Sequence, residues 1–85
     1  METNVCVLDY GSGNVKSVTT MVRMLCDNVV VSNDAEDVLR ATHLILPGVG
    51  AFGAAMEKIH RLLPMDVLTD QVFQEKKPFL GICVG

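Results

Sequence analysis

Five residues, Gly81-Ile82-Cys83-Val84-Gly85, have the composition and spacing of a nucleophile mounted on a sharp strand-to-helix turn. A nucleophile in that position sits on a strained backbone. The residues two before and two after it approach so closely that a Cβ would clash, and glycine at 81 and 85 relieves this. A helix starting just beyond Cys83 would draw its thiol pKa below the usual ~8.5 and favour the thiolate. The backbone N–H of Val84 would then face a substrate carbonyl oxygen as half of an oxyanion hole. The same five residues also suit a small buried cysteine beside strand-flanking glycines, and the pattern alone leaves both readings open. Cys6 and Cys26 lack the glycine flanks. Cys6 falls mid-way along an apolar run and Cys26 at the end of a helical stripe, so both read as packing residues.

Two further glycine-rich segments invite chemistry. In Pro47-Gly48-Val49-Gly50, two glycines around one residue let a peptide turn its N–H groups towards an anion, although a plain strand-to-helix turn has the same composition. Gly11-Ser12-Gly13-Asn14 could cradle a phosphate at a helix N-terminus. The fuller dinucleotide fingerprint needs a glycine where Lys16 stands, which weighs against a nucleotide there.

Short apolar runs and helical stripes alternate to position these three segments. Val5-Cys6-Val7-Leu8 reads as a strand buried on both faces, stopped by Asp9 and the Gly11-Ser12-Gly13 turn. A helix follows, with Asn14 as N-cap and a stripe of Val15, Val18, Val22 and Leu25. Val29-Val30-Val31 is a β-branched second strand. Asp34 caps a short helix carrying Ala35, Val38 and Leu39. Leu44-Ile45-Leu46 is the third strand. The clearest helical stripe is Phe52, Ala55, Met56, Ile59, Leu62 and Leu63. Pro64 ends it or starts a second helix with Met65, Leu68 and Val72 on one face, and Lys76 and Lys77 fit a helix C-terminus. Phe79-Leu80-Gly81-Ile82 is the fourth strand. The alternation implies βαβ units with right-handed crossovers. The expected fold is α/β: a three-layer, flavodoxin-like or Rossmann-type parallel sheet with helices on both faces, incomplete at four strands in the order 2-1-3-4. The three glycine loops then gather at the carboxyl edge.

Composition narrows the function classes. The 85 residues are 49% hydrophobic and 20% charged, ordinary values for a globular chain. A chain this size buries only about 60% of its unfolded surface, so the core is thin. The net charge of −3 leaves no basic footprint for nucleic acid. The Met-Glu-Thr-Asn start has no positive n-region followed by a long apolar stretch, which argues against a signal peptide. The longest uncharged apolar-rich stretch, Leu44 to Met56, contains Pro47 and several glycines and is too short to span a bilayer. Three cysteines without paired spacing argue against a disulfide framework, and the expectation is a reduced, cytoplasmic protein. There is no CxxC, and His43 and His60 lie far apart, so no metal site is expected.

Three segments taken together carry a family resemblance. They are Val7-Leu8-Asp9-Tyr10-Gly11-Ser12-Gly13-Asn14, Leu46-Pro47-Gly48-Val49-Gly50-Ala51-Phe52, and Pro78 to Gly85. They resemble, in order and along essentially the whole chain, the N-terminal part of class I glutamine amidotransferases. The first two segments are most similar to the glutaminase subunits of imidazole glycerol phosphate synthases. The resemblance implies that residues 1–85 are the N-terminal part of one amidotransferase domain. It implies that Cys83 attacks the side-chain amide of glutamine, with a glutamyl thioester as intermediate. Gly48, Val49, Gly50, Val84 and Gly85 would form the oxyanion and substrate-binding elements. Asn14 would lie at the interface with a (β/α)8-barrel cyclase subunit in a heterodimer, which takes the ammonia for histidine biosynthesis. No cofactor is implied.

The resemblance also implies a histidine and a glutamate from a His-Pro-Glu segment, which this sequence does not contain. His43 opens the third strand, about four residues or on the order of 13 Å from the carboxyl edge, and His60 falls off its helical stripe. Neither fits as a base for Cys83. The 85 residues by themselves are therefore expected to have no useful glutaminase activity. The fourth strand is expected to have a bare far edge, with self-association or marginal stability as the consequence. Two other readings stay open: a flavodoxin-like module binding a phosphate ligand with a structural Cys83, and another class I amidotransferase or cysteine hydrolase with the same elbow.

Overall fold

The computed structural model of the chain describes residues 2–48 and 52–82, with the side chains of 52–55 left aside. Four strands alternate with helices: β1 (Val5–Leu8), α1 (Val15–Arg23), β2 (Val29–Ser32), α2 (Ala35–Arg40), β3 (His43–Pro47), α3 (Phe52–Leu62), α4 (Met65–Thr69) and β4 (Phe79–Ile82). A π-helical turn, Asp70–Gln74, continues α4. The sheet order is β2-β1-β3-β4 and every pairing is parallel, as the alternation of runs and stripes implies.

Period-2 alternation along the strands divides the core between the two faces. Val5 and Val7 of β1 and Ile45 of β3 pack with Val18 and Val22 of α1. Cys6, Leu8 and Leu44 point the other way, into a larger cluster with Val38 of α2, Ile59 and Leu63 from α3 and its end, and Leu68 of α4. Helices therefore cover both faces, and β1, at the centre, is buried along its whole length. Asp34 caps α2 as expected, its carboxylate accepting from the Glu36 N–H at 3.1 Å.

Several expectations need correction. The outer strands are apolar runs, yet they are not sandwiched. Val30 and Val31 of β2 and Phe79 and Leu80 of β4 are all more than a third exposed. The helix α1 lies chiefly on β1 and β2, and of β4 it is Ile82 that packs against the cluster beneath it while Leu80 stays exposed. Among the described residues β4 has no neighbour on its far side. The helix α1 stops at Arg23, so Leu25 falls outside the expected stripe and is 88% exposed. Leu39 and Leu62 are exposed as well, because they sit at the outer shoulder of their stripes. Lys76 adopts the left-handed conformation (φ 54°) after the π-helical turn. Lys77 serves a different helix from the expected one. Its ammonium donates to the Val38 and Leu39 carbonyls of α2, at 3.0 and 3.2 Å, satisfying the orphan acceptors at that C-terminus.

The exposed flank of β4 yields a first prediction. Leu80 is 57% exposed on an edge strand. Leu80→Lys is expected to change stability by only about 0.5 kcal/mol. It is expected to suppress edge-to-edge association, because a lysine on an edge strand opposes pairing with another chain. Sedimentation velocity over a concentration series checks this. Association of equal strength in both proteins would show that β4 is not the contact.

Cys6 yields a second. Its thiol is fully buried, and burial together with the nearby Asp37 pushes it up from 9.0 to about 11, against a smaller opposing effect of Lys77. The folded state thus holds this proton more tightly than the unfolded chain. The stabilising contribution is complete below pH 9 and is lost as pH rises through 11, by roughly 2–3 kcal/mol. Urea titrations at pH 8 and at pH 10–11 are expected to reveal this slope in the wild type. Cys6→Ala is expected to start less stable but to lack that part of the slope.

Candidate active site

The carboxyl edge of the sheet is where β1 ends at Leu8, β3 at Pro47 and β4 at Ile82. Strand order puts β3 between the other two, and Pro47 pairs in register with Ile82. The loop after β1 and the residue after β3 consequently meet.

The loop from Asp9 to Asn14 is shaped by its own side chains. Gly11 takes φ +87°, a conformation that a residue with a Cβ adopts only under strain, and its N–H donates to the Asp9 carboxylate at 3.2 Å. The Asn14 N–H donates to Ser12 Oγ at 3.2 Å and the Val15 N–H to the Ser12 carbonyl at 3.4 Å. The capping of α1 thus comes from Ser12, whereas Asn14 stands at the N-cap position without a side-chain capping bond, which corrects the sequence expectation. The Asn14 side chain lies over Gly48 instead. A Cβ on Gly48 would sit 2.3 Å from Asn14 Nδ2, so glycine permits this approach.

Tyr10 completes the junction. Its ring is buried in the larger core cluster, at 2% exposure. Its hydroxyl reaches the carbonyls of both Pro47 and Gly48, the latter at 2.6 Å. Ser12 Oγ also donates to the Gly48 carbonyl, at 3.0 Å. In the sequence Ser12 stands out only as part of the glycine-rich string Gly11 to Asn14, and Tyr10 only within the segment that carries the family resemblance. The available signal was that a tyrosine directly after a buried strand must find a partner for its hydroxyl.

Of the expected site residues, the structure places Gly48 and Asn14 side by side. Cys83, Val84, Gly85, Val49 and Gly50 lie outside the described residues. Gly81, expected to be crowded, has nothing among the described residues within 4 Å of a Cβ placed on it, because it stands on the edge strand. His43 begins β3 in register with Val5, at the end of the sheet away from these loops, and is exposed; His60 is exposed on α3. Among the described residues no group of three or more His, Cys, Asp or Glu could hold a metal ion, and no helix is long and apolar enough to cross a membrane.

The phosphate-cradle reading of the first loop finds little support in this geometry. Two of its N–H groups, those of Gly11 and Asn14, and that of Val15 at the start of α1 are already spent on oxygens of the loop itself, and one of those oxygens is the Asp9 carboxylate, which repels an anion.

A parallel sheet layered by helices, in which β1, β3 and β4 end at one carboxyl edge, defines an α/β protein of the doubly wound kind, a class in which ligands bind at that edge. Comparison with curated proteins narrows the class. The chain is 43% identical over 81 residues to imidazole glycerol phosphate synthase subunit HisH 2 of Methanococcus maripaludis, covering 95% of the chain and 40% of the relative. The subunit HisH 2 of Pseudomonas aeruginosa matches with the same identity and coverage. Subunit HisH of Methanocaldococcus jannaschii is 40% identical over 79 residues, covering 93% of the chain and 38% of the relative. Over the stretch it shares with them, the chain is similar to these HisH subunits. It spans about two fifths of the length of the curated relatives it matches. No protein-family model matches it.

Proposed function

We propose that the chain is the nucleophile-bearing, N-terminal part of one class I glutamine amidotransferase domain, the glutaminase subunit of an imidazole glycerol phosphate synthase. The observation that carries this reading is 43% identity across 95% of the chain. The geometry of the described residues is in keeping with it, since Gly48 follows the end of β3 at the carboxyl edge of the sheet and lies beside Asn14.

In this reading Cys83 attacks the δ-carbon of the glutamine side-chain amide as a thiolate. The carbonyl oxygen becomes an oxyanion, held by the N–H of Val84 and by the loop of Gly48, Val49 and Gly50. Gly85 lets the elbow turn sharply enough to present the thiol. Collapse of the tetrahedral adduct expels the amide nitrogen, which leaves as ammonia once it has taken a proton. A glutamyl thioester remains, and attack by water then releases glutamate and regenerates the thiol. The base and its orienting carboxylate are, by family resemblance, a histidine and a glutamate of a His-Pro-Glu segment; neither His43 nor His60 precedes Pro-Glu. The ammonia passes to a (β/α)8-barrel cyclase in a cytoplasmic heterodimer that serves histidine biosynthesis, with Asn14 facing that partner. No cofactor takes part.

The test is labelling with a glutamine analogue in which a chloromethyl ketone replaces the side-chain amide. The expected product is a single adduct on the peptide containing Cys83, absent from Cys83→Ala. An adduct on Cys26 with Cys83 untouched would overturn the reading.

A further inference from the structure

We infer that Tyr10 and Ser12 are positioning residues that grip the Gly48 carbonyl and so fix the start of the oxyanion loop; the inference rests on the glutaminase reading above. The grip joins segments 36 to 38 residues apart in the sequence. The Tyr10 hydroxyl reaches two successive carbonyls, those of Pro47 and Gly48, from a ring fixed in the core. A phenol carries one proton, so it satisfies these two acceptors by sharing it. Ser12 supplies the second O–H to Gly48 while its oxygen accepts from the Asn14 N–H. On the third side, the Asn14 amide occupies the space that a Cβ of residue 48 would take.

Packing alone does not account for this arrangement. A phenylalanine at position 10 would fill the same core volume, yet the hydroxyl is aimed at the last carbonyl of β3 and the first beyond it. The consequence is directional. A peptide group is a rigid plane, so a carbonyl held by two donors cannot rotate without both bonds breaking. The peptide that leaves Gly48 is the first of the loop that the glutaminase reading assigns to the oxyanion. Its orientation is then set by hydroxyls on the loop after β1 that never touch substrate.

Two probes separate this role from a merely structural one. The chloromethyl ketone analogue of glutamine needs both a reactive thiol and an oriented oxyanion loop, whereas iodoacetamide needs only the thiol. In Tyr10→Phe and Ser12→Ala, the ratio of the two labelling rates at Cys83 is expected to fall about tenfold with the iodoacetamide rate unchanged, and Ser12→Thr is expected to restore it. Amide hydrogen exchange, read by NMR on the same proteins, is expected to rise on the order of tenfold at Val49 and Gly50, with Val7 and Ile45 unchanged. Unaltered ratios and unaltered loop exchange would overturn the inference. So would acceleration at Val7 and Ile45 in step with the loop, because the hydroxyls would then only hold the fold together. If the wild-type chain shows no preference for the glutamine-shaped probe, the glutaminase reading fails and the catalytic role of the grip fails with it, while the exchange comparison still decides whether the grip exists.

Discussion

Leu8→Ala is expected to remove a large share of the stability of this fold. Leu8 has no exposed surface and sits among Cys6, Tyr10, Val38, Leu44, Ile59, Leu63 and Leu68, in the larger of the two core clusters. Truncating a fully buried leucine costs about 2–5 kcal/mol, from lost transfer free energy and from the cavity left behind. A chain of 85 residues is expected to have roughly 4–13 kcal/mol in total. The low end is the more apt here, since Phe79 and Leu80 of β4 and Val30 and Val31 of β2 contribute little burial. A loss near 3 kcal/mol corresponds to a fall in melting temperature of roughly 12–24 °C. Differential scanning calorimetry of both proteins measures it. A fall of only a few degrees would mean that the core around Leu8 closes over the gap, or that it is less tightly packed than its burial indicates.

Much of this architecture is legible in the sequence, for a physical reason. In a parallel sheet, short apolar runs bounded by glycine, proline and Asx residues have few alternatives, and right-handed crossovers restrict the strand order. Val5–Leu8, the stripe of Val18 and Val22, and the Asp34 cap all follow from local chemistry. The outer strands do not, because a run such as Val29-Val30-Val31 reads the same whether or not a helix covers it. Leu25 has the spacing of the stripe, but the helix ends two residues earlier, at Arg23. Of the site, the common carboxyl edge at which β1, β3 and β4 end follows from the alternation of runs and stripes, whereas Val49, Gly50 and Cys83 to Gly85 lie outside the described residues. The junction of Tyr10, Ser12 and Gly48 does not follow in this way, because it joins residues 36 to 38 apart and depends on where a side-chain hydroxyl ends up. Asn14 shows the same limit: its type fits an N-cap, but Ser12 reaches the helix end first and frees the Asn14 amide to pack on Gly48.

The second large effect concerns the three cysteines. With its pKa pushed up to about 11, Cys6 is about one part in 10⁴ thiolate at pH 7, and it is buried besides. Cys26 is partly covered, its Sγ lying 3.5 Å from the Thr3 carbonyl and 3.7 Å from that of Asn28. A nucleophilic Cys83, with its thiol drawn below the usual cysteine range, would carry far more thiolate at the same pH. Iodoacetamide at pH 7 is therefore expected to modify Cys83 at least about 10³ times faster than Cys6, with Cys26 slower than Cys83. Peptide mass spectrometry over a time course, repeated between pH 5 and 9, gives each rate. The Cys83 rate is expected to level off below pH 8.5. A Cys83 rate still climbing steeply above that value would mark it as an ordinary thiol and return the structural-cysteine reading to first place.

The central claim, that Cys83 is a nucleophile built to receive glutamine, is tested most directly by substrate protection. The rate of iodoacetamide labelling at Cys83 and Cys26 would be measured against increasing L-glutamine, with L-asparagine as the shorter control. Saturable slowing at Cys83 by glutamine, little effect of asparagine and no change at Cys26 is the expected result. Equal rates at Cys83 with and without glutamine would contradict the claim.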